Sequence, residues 1–251
     1  MAAHPSALRI ARGRRFYFGL SLLLVSIAVA GFMPSYLLKL SNHSVDLPPI
    51  FHVHAVLLFS WLFLNALQAW FVATGRVYSH RQWGLVGISL ATAMTISIVL
   101  LVITGIKLSE AHGVSLPARR FAYLSISGAA KFAVFFGAAI VCIQRRELHK
   151  RLMVIANSTL MGAPVGRLVV LAMVPPNLRA GPPPPLAIIL ILLLAYFPMY
   201  AGMAYDWRTR GRPHPVYLVG LLSMLSGLLV PVIGRSEAWM NAIDHLMLLM
   251  G

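Results

Sequence analysis

The sequence predicts an all-α, polytopic membrane protein with seven transmembrane helices, forming one domain over residues 1–251. Three observations carry that prediction. Apolar residues make up 59% of the chain and charged residues 11%, a ratio that leaves a water-soluble domain short of polar surface. Seven apolar runs, at 16–38, 51–73, 83–106, 121–143, 152–174, 185–205 and 216–234, reach the roughly 20 residues a helix needs to cross the hydrocarbon core. Backbone groups in lipid must bond within their own segment, so these runs read as helices. The third observation is the distribution of the basic residues. Thirteen Lys and Arg lie before the first run and after the second, fourth and sixth, against six on the other side and two within runs. By the positive-inside rule the N-terminus is cytoplasmic and the C-terminus outside. The net charge of +15 is therefore mainly topological, with some attraction to anionic headgroups, and no nucleic-acid partner is expected.

Each element follows in order. Arg9, Arg12, Arg14 and Arg15 precede the first run, and Ala28-Val29-Ala30 resembles a signal-peptide cleavage site. The apolar character continues to Leu38, which favours an uncleaved first span; cleavage would leave six spans with the same sidedness. Leu47-Pro48-Pro49 breaks the chain before span two, and Pro182 to Pro185 break it before span six. Short polar loops join spans two and three and spans four and five, so each pair forms an antiparallel hairpin. The segment 236–250, apolar with Asp244 and His245, is too short to cross and reads as an interfacial helix. Cys142 is the single cysteine, so no disulfide framework exists.

A basic motif occurs in both hairpins. Arg76-Val77-Tyr78-Ser79-His80-Arg81 opens span three, and Arg145-Arg146-Glu147-Leu148-His149-Lys150-Arg151 opens span five. The repetition predicts a duplicated four-helix core, spans two to five. It also sets His80 and His149 at matching places on one side of the membrane. Helical spacing puts His54, Trp61, Asn65 and Gln68 on one stripe of span two. Gly84, Gly87, Ala91 and Thr95 lie below His80, and Met153, Ala156, Leu160, Ala163 and then Arg167 lie below His149. Small residues beneath a histidine serve close helix packing, or leave space for a flat ligand such as porphyrin with histidine as axial ligand. Ala129, Ala133 and Gly137 on span four read as a packing seam alone.

Charges inside the membrane are the stronger functional pointers. Lys131 falls near the middle of span four and Arg167 in the outer half of span five, just after Pro164. A charge at the bilayer centre costs at least about 2.5–3.5 kcal/mol, so it is normally paired or faces a wet cavity. No Asp or Glu falls inside any run. Lys131, Arg167, Asn65 and Gln68 are therefore the candidate buried polar or anion site, solvated by carbonyls and amides or by an anionic lipid or substrate. His80 and His149 read either as headgroup contacts or as a pair of haem ligands, and His54 as a core hydrogen-bonding group or a ligand. No zinc motif, phosphate loop or nucleophile–base arrangement points to a soluble-type enzyme.

His149-Lys150-Arg151-Leu152-Met153, with Arg167 further along, resembles the H-[K/R]-R-x-M helix start of a family of uncharacterised bacterial multi-pass membrane proteins. The stretch from His54 through Gln68 to His80-Arg81 and Gly84 is similar to the preceding hairpin of that group, so the resemblance covers roughly 50–175. The group is broadly similar to the cytochrome b561 type of four-helix core. That resemblance implies one haem b between His80 and His149, with His54 and Arg167 as further cofactor-binding candidates. It also implies electron exchange with quinone or a respiratory complex. The alternative is a non-redox transporter, or an accessory or assembly subunit of such a complex. Abundant Ala and an excess of Arg over Lys point to a bacterial inner membrane.

Overall fold

A computed structural model describes residues 5–44, 46–176 and 184–250, and among them every regular element is helical. The loop residues 182 and 183, expected to break the chain, lie outside the described residues. Helix α1 (Pro5–Phe32) runs through a π-helical turn at Met33–Leu37 into α2 (Leu38–Ser41). Then follow α3 (Pro49–Ala73), α4 (Val77–Ala111) and α5 (Ser115–Val141). Next come α6 (Arg146–Leu160), α7 (Gly162–Met173), α8 (Pro185–Ala195) and α9 (Phe197–Arg210). The chain ends with α10 (Val216–Leu225), a 3₁₀ turn at Ser226–Leu229, α11 (Val230–Ile233) and α12 (Glu237–Leu249). Five segments are long and apolar enough to cross a membrane, and seven if each of two bent pairs counts as one span. The chain is a multi-pass membrane protein in architecture.

The bent pairs depart from the expectation of seven uniform helices. The run at 152–174 is α6 and α7, meeting at 44°, and the run at 185–205 is α8 and α9, meeting at 48°. Proline is the cause in both. Pro164 withholds the N–H that would bond the Leu160 carbonyl, and Pro198 does the same for Leu194. One consequence is a correction: His149 and Arg167 do not share one helical face, because the bend at Met161 separates them.

Packing places α6 at the centre. Helix α3 packs on α4 and α5 on α6, while α6 also meets α9 and α10. The two broken spans lie side by side, α6 against α9 and α7 against α8. Span one covers the first break, where Gly31 approaches so closely that a Cβ there would collide with the Pro164 backbone. Gly220 of α10 similarly admits Met199 Sδ and Ile155, the sulfur lying 2.6 Å from where a Cβ would stand. The core joins Trp61, Leu62, Met94, Phe132, Ile155, Met161, Met199 and Tyr217. Helix α12 docks on the ends of α4 and α5 remote from the basic loops, burying Ile243 beside Val102, Ile106 and Ala122.

Candidate functional site

Helix α6 presents two unlike polar faces, both towards the end of the bundle that carries the basic loops. On the first, Arg151 and Asp206 of α9 form a buried ion pair, with side chains 1% and 0% exposed. Arg151 Nε donates to Asp206 Oδ2 at 2.7 Å and Nη2 donates to Oδ1, a two-pronged geometry. Arg151 Nη1 reaches the Glu147 carboxylate at 2.9 Å, and Lys150 and Arg210 hold the same carboxylate. The His214 amide closes the cluster by donating to Asp206 Oδ2 at 3.2 Å. His214 Nδ1 accepts from the Val216 amide, so the ring is neutral. Burial holds its pKa below the ordinary 6.5, and the Arg151 guanidinium adds to that depression. The buried phenols of Tyr17 and Tyr217 lie beside the pair.

The other face of α6 looks towards α3, α4 and α5. Asn157 accepts from Trp61 Nε1 at 3.0 Å, and its amide donates to Asn65 Oδ1 at 3.2 Å and to the Met153 carbonyl at 2.8 Å. Phe132 and Phe136 meet the Trp61 ring edge-to-face. One turn beyond Asn65, the Gln68 side chain has both Oε1 and Nε2 buried without a hydrogen-bond partner. His80 Nδ1 is likewise buried and unpartnered. His80 lies beside the Gln68 backbone and within electrostatic reach of His149. His149 Nδ1 lies 2.8 Å from the Ala139 carbonyl. A carbonyl only accepts, so Nδ1 carries a proton and donates.

The other candidates fall elsewhere. His54 Nδ1 lies 2.9 Å from Ser97 Oγ, whose own proton goes to the Met94 carbonyl. The ring therefore donates, and His54 is a core tie between α3 and α4. Arg167 was expected to be a buried charge and is exposed. It donates to Ser35 Oγ at 3.1 Å and to the Ala163 carbonyl, and its guanidinium covers the Phe32 ring at 4.3 Å. Lys131 is half-buried on α5. Of the four residues grouped as an anion site, Asn65 and Gln68 share one seam, while Arg167 turns to the π-helical turn of span one. Among the described residues, no three His, Cys, Asp or Glu side chains gather as a metal-holding group.

Asp206 and the burial of Arg151 escaped the sequence reading. Asp206 stands one residue past the expected end of span six, and Arg151 was counted with the loop charges. A signal existed: Glu147 and Asp206 are the two acids amid the basic loops of that end. No family model, curated protein or solved structure matches this chain.

Depth gives the broken spans their interest. At 1.5 Å per residue, Met161 lies about 22 Å along from Arg146, and Tyr196 about 21 Å from Arg210. Both breaks thus lie at matching distances from the end of the bundle that carries the basic loops. The half-helices mirror one another, 15 and 12 residues in one span against 14 and 11 in its neighbour. Helices α3, α4 and α5 cross unbroken over 25, 35 and 27 residues.

Proposed function

We propose that the protein is a small membrane carrier of the non-redox kind, in which the paired broken spans form the moving part against a scaffold of α3, α4 and α5. The observation that carries this reading is the matching depth of the two breaks in adjacent antiparallel spans. Interrupted helices at mid-membrane, paired across a bundle, are where carriers build their solute and ion sites. Irregular backbone at that depth is tolerated only where protein buries it or where it lines a wet cavity. In this reading the basic end faces the cytoplasm of a bacterium, the membrane is the inner one, and the hairpins of spans two and three and of spans four and five are copies of one unit.

Thiol labelling tests the carrier. Met161→Cys and Tyr196→Cys are made in a Cys142→Ala background and treated with a membrane-impermeant thiosulfonate, in right-side-out and in inverted vesicles. A carrier exposes both positions, buried in this state, to each side in turn, so both preparations label. Labelling no faster than a Leu62→Cys control in α3 overturns the reading.

A second reading, a haem b electron carrier of the cytochrome b561 kind exchanging electrons with quinone or a respiratory complex, is favoured by one observation. The bond from His149 Nδ1 to Ala139 leaves Nε2 as the one ring nitrogen that could coordinate, with His80 within electrostatic reach. It stands second because two open concavities among the described residues lie elsewhere. One lies against span one between Val25 and Leu38, and the other lies beneath His214 beside Arg145. Haem bound by the pair would give the purified protein a Soret band that shifts with dithionite and is lost in His80→Ala. A protein without the band removes this reading.

A further inference from the structure

Arg167 lies on α7 about 9 Å before its last residue, Met173, within a bent helix pair apolar enough to cross a membrane. Among the described residues its guanidinium is held by Ser35 Oγ at 3.1 Å, the Ala163 carbonyl at 3.2 Å and the Phe32 ring at 4.3 Å, and none of these is a carboxylate. The bonds engage Nε and Nη1, which leaves Nη2 free to donate. A charge inside a span is normally paired or wet, and a guanidinium fork fits two oxygens of a phosphate. Arg167 and Ser35 are both exposed, so the spare donors face the surroundings of the bundle rather than its core. The level suits a headgroup. Tyr36, next to Ser35, has its Oη 2.7 Å from His52 Nδ1, and tyrosine concentrates where hydrocarbon meets headgroups.

Beside that contact runs the groove against span one, about 670 Å³ in volume and lined by Val25, Val29, Met33, Pro34, Leu38 and Leu171 among others. Leu171 stands one turn past Arg167 on the same face of α7. Met33 and Pro34 belong to the π-helical turn that carries Ser35. The guanidinium therefore stands at the groove's edge. From Val25 to Leu38 the groove follows α1 for about 20 Å, and about 15 Å of that lies between Ser35 and Val25, towards the basic end. A cation near one end and an apolar length running inward match a single phospholipid. We propose that the groove holds one anionic phospholipid of the leaflet remote from the basic loops, its phosphate on Arg167 and Ser35 and one acyl chain along Val29 and Val25. The guanidinium supplies the selectivity and the groove supplies shape, because bulk lipid tails are as apolar as the groove wall. The bound lipid bridges span one to α7, the part of the first broken span beyond its break. The proposal stands apart from the carrier reading, since a static bundle could hold the same lipid.

Native mass spectrometry counts the lipid that purified protein retains when given dioleoyl phosphatidylglycerol or dioleoyl phosphatidylcholine. One phosphatidylglycerol should be kept in preference to phosphatidylcholine, whose own cation competes for the phosphate. Arg167→Gln should weaken that retention about tenfold, the loss of one hydrogen bond to a charged group. Ala30→Phe fills the groove from an exposed position on its wall, and should expel the lipid while leaving Arg167 in place. The wild-type protein locates the site without any variant. Phosphatidylglycerol with a diazirine halfway along one acyl chain should label residues 25–33 and 171. Labelling confined to other helices, equal retention of the two lipids, or retention unaltered in either variant overturns the proposal. Displacement of the lipid by excess inorganic phosphate does so too, because it would mark a site for a soluble anion.

Discussion

Each end of the bundle ties its helices with one arginine held by two carboxylates, and the two ties differ in burial. At the basic end Arg151 binds Asp206 and Glu147, and the Arg151–Asp206 part has no access to solvent. At the opposite end Arg119 of α5 binds Glu110 of α4 and Asp244 of α12, with side chains 24%, 36% and 48% exposed. The same chemical grouping therefore serves two purposes. An exposed pair contributes about 0–1 kcal/mol. A buried pair contributes little net stability over an apolar replacement, yet breaking it strands a charge at a cost of about 3–5 kcal/mol. The buried tie is a registration device for α6 and α9, the half-helices of the two broken spans on the basic side of their breaks.

The sharpest way to break this contrast is Asp206→Asn. It removes the buried one of the two carboxylates that hold the Arg151 guanidinium, leaving only Glu147, and should destabilise the protein by about 3–5 kcal/mol in detergent or thermal unfolding. An Arg151→Met, Asp206→Leu double variant should recover much of that loss. If the single variant costs no more than a surface change, the pair is not buried in the folded membrane state. Gly31→Ala comes next. A methyl group there meets the Pro164 backbone, which cannot swing aside as a side chain does, so overpacking should cost about 1–3 kcal/mol. Wild-type melting of this variant would show that span one does not clasp the first break. The smallest effect belongs to Asp244→Asn, expected within about 1 kcal/mol and shrinking further in high salt. A loss as large as that of Asp206→Asn would erase the distinction between the two ends.

Much of the architecture was legible in the sequence because hydropathy is a local property. A run such as 51–73 is apolar whatever packs against it, and it appears as α3 with its ends moved by two residues or fewer. The breaks were less legible. Pro164 and Pro198 are visible in the sequence, but the matching depth of their kinks emerges only when α6 lies against α9. The histidine stripe on span two was legible as a face, and Asn65 does meet Asn157 along it. What lay beyond reach was partner choice. Nothing local distinguishes Arg151, wholly buried, from Arg145, exposed six residues earlier, because the difference is made by Asp206, 55 residues away.

Hydrogen exchange on the native protein in nanodiscs tests the central claim, that the paired breaks are the moving, water-reached part of a carrier. Amides at 160–165 and 195–200 are compared with those at the centres of α3 and α5, at similar depth in unbroken helices. The carrier reading predicts exchange at both breaks within minutes to hours while the α3 and α5 centres stay protected. Equal, lasting protection of all four segments would contradict it, and would leave the broken spans as fixed kinks in a static bundle.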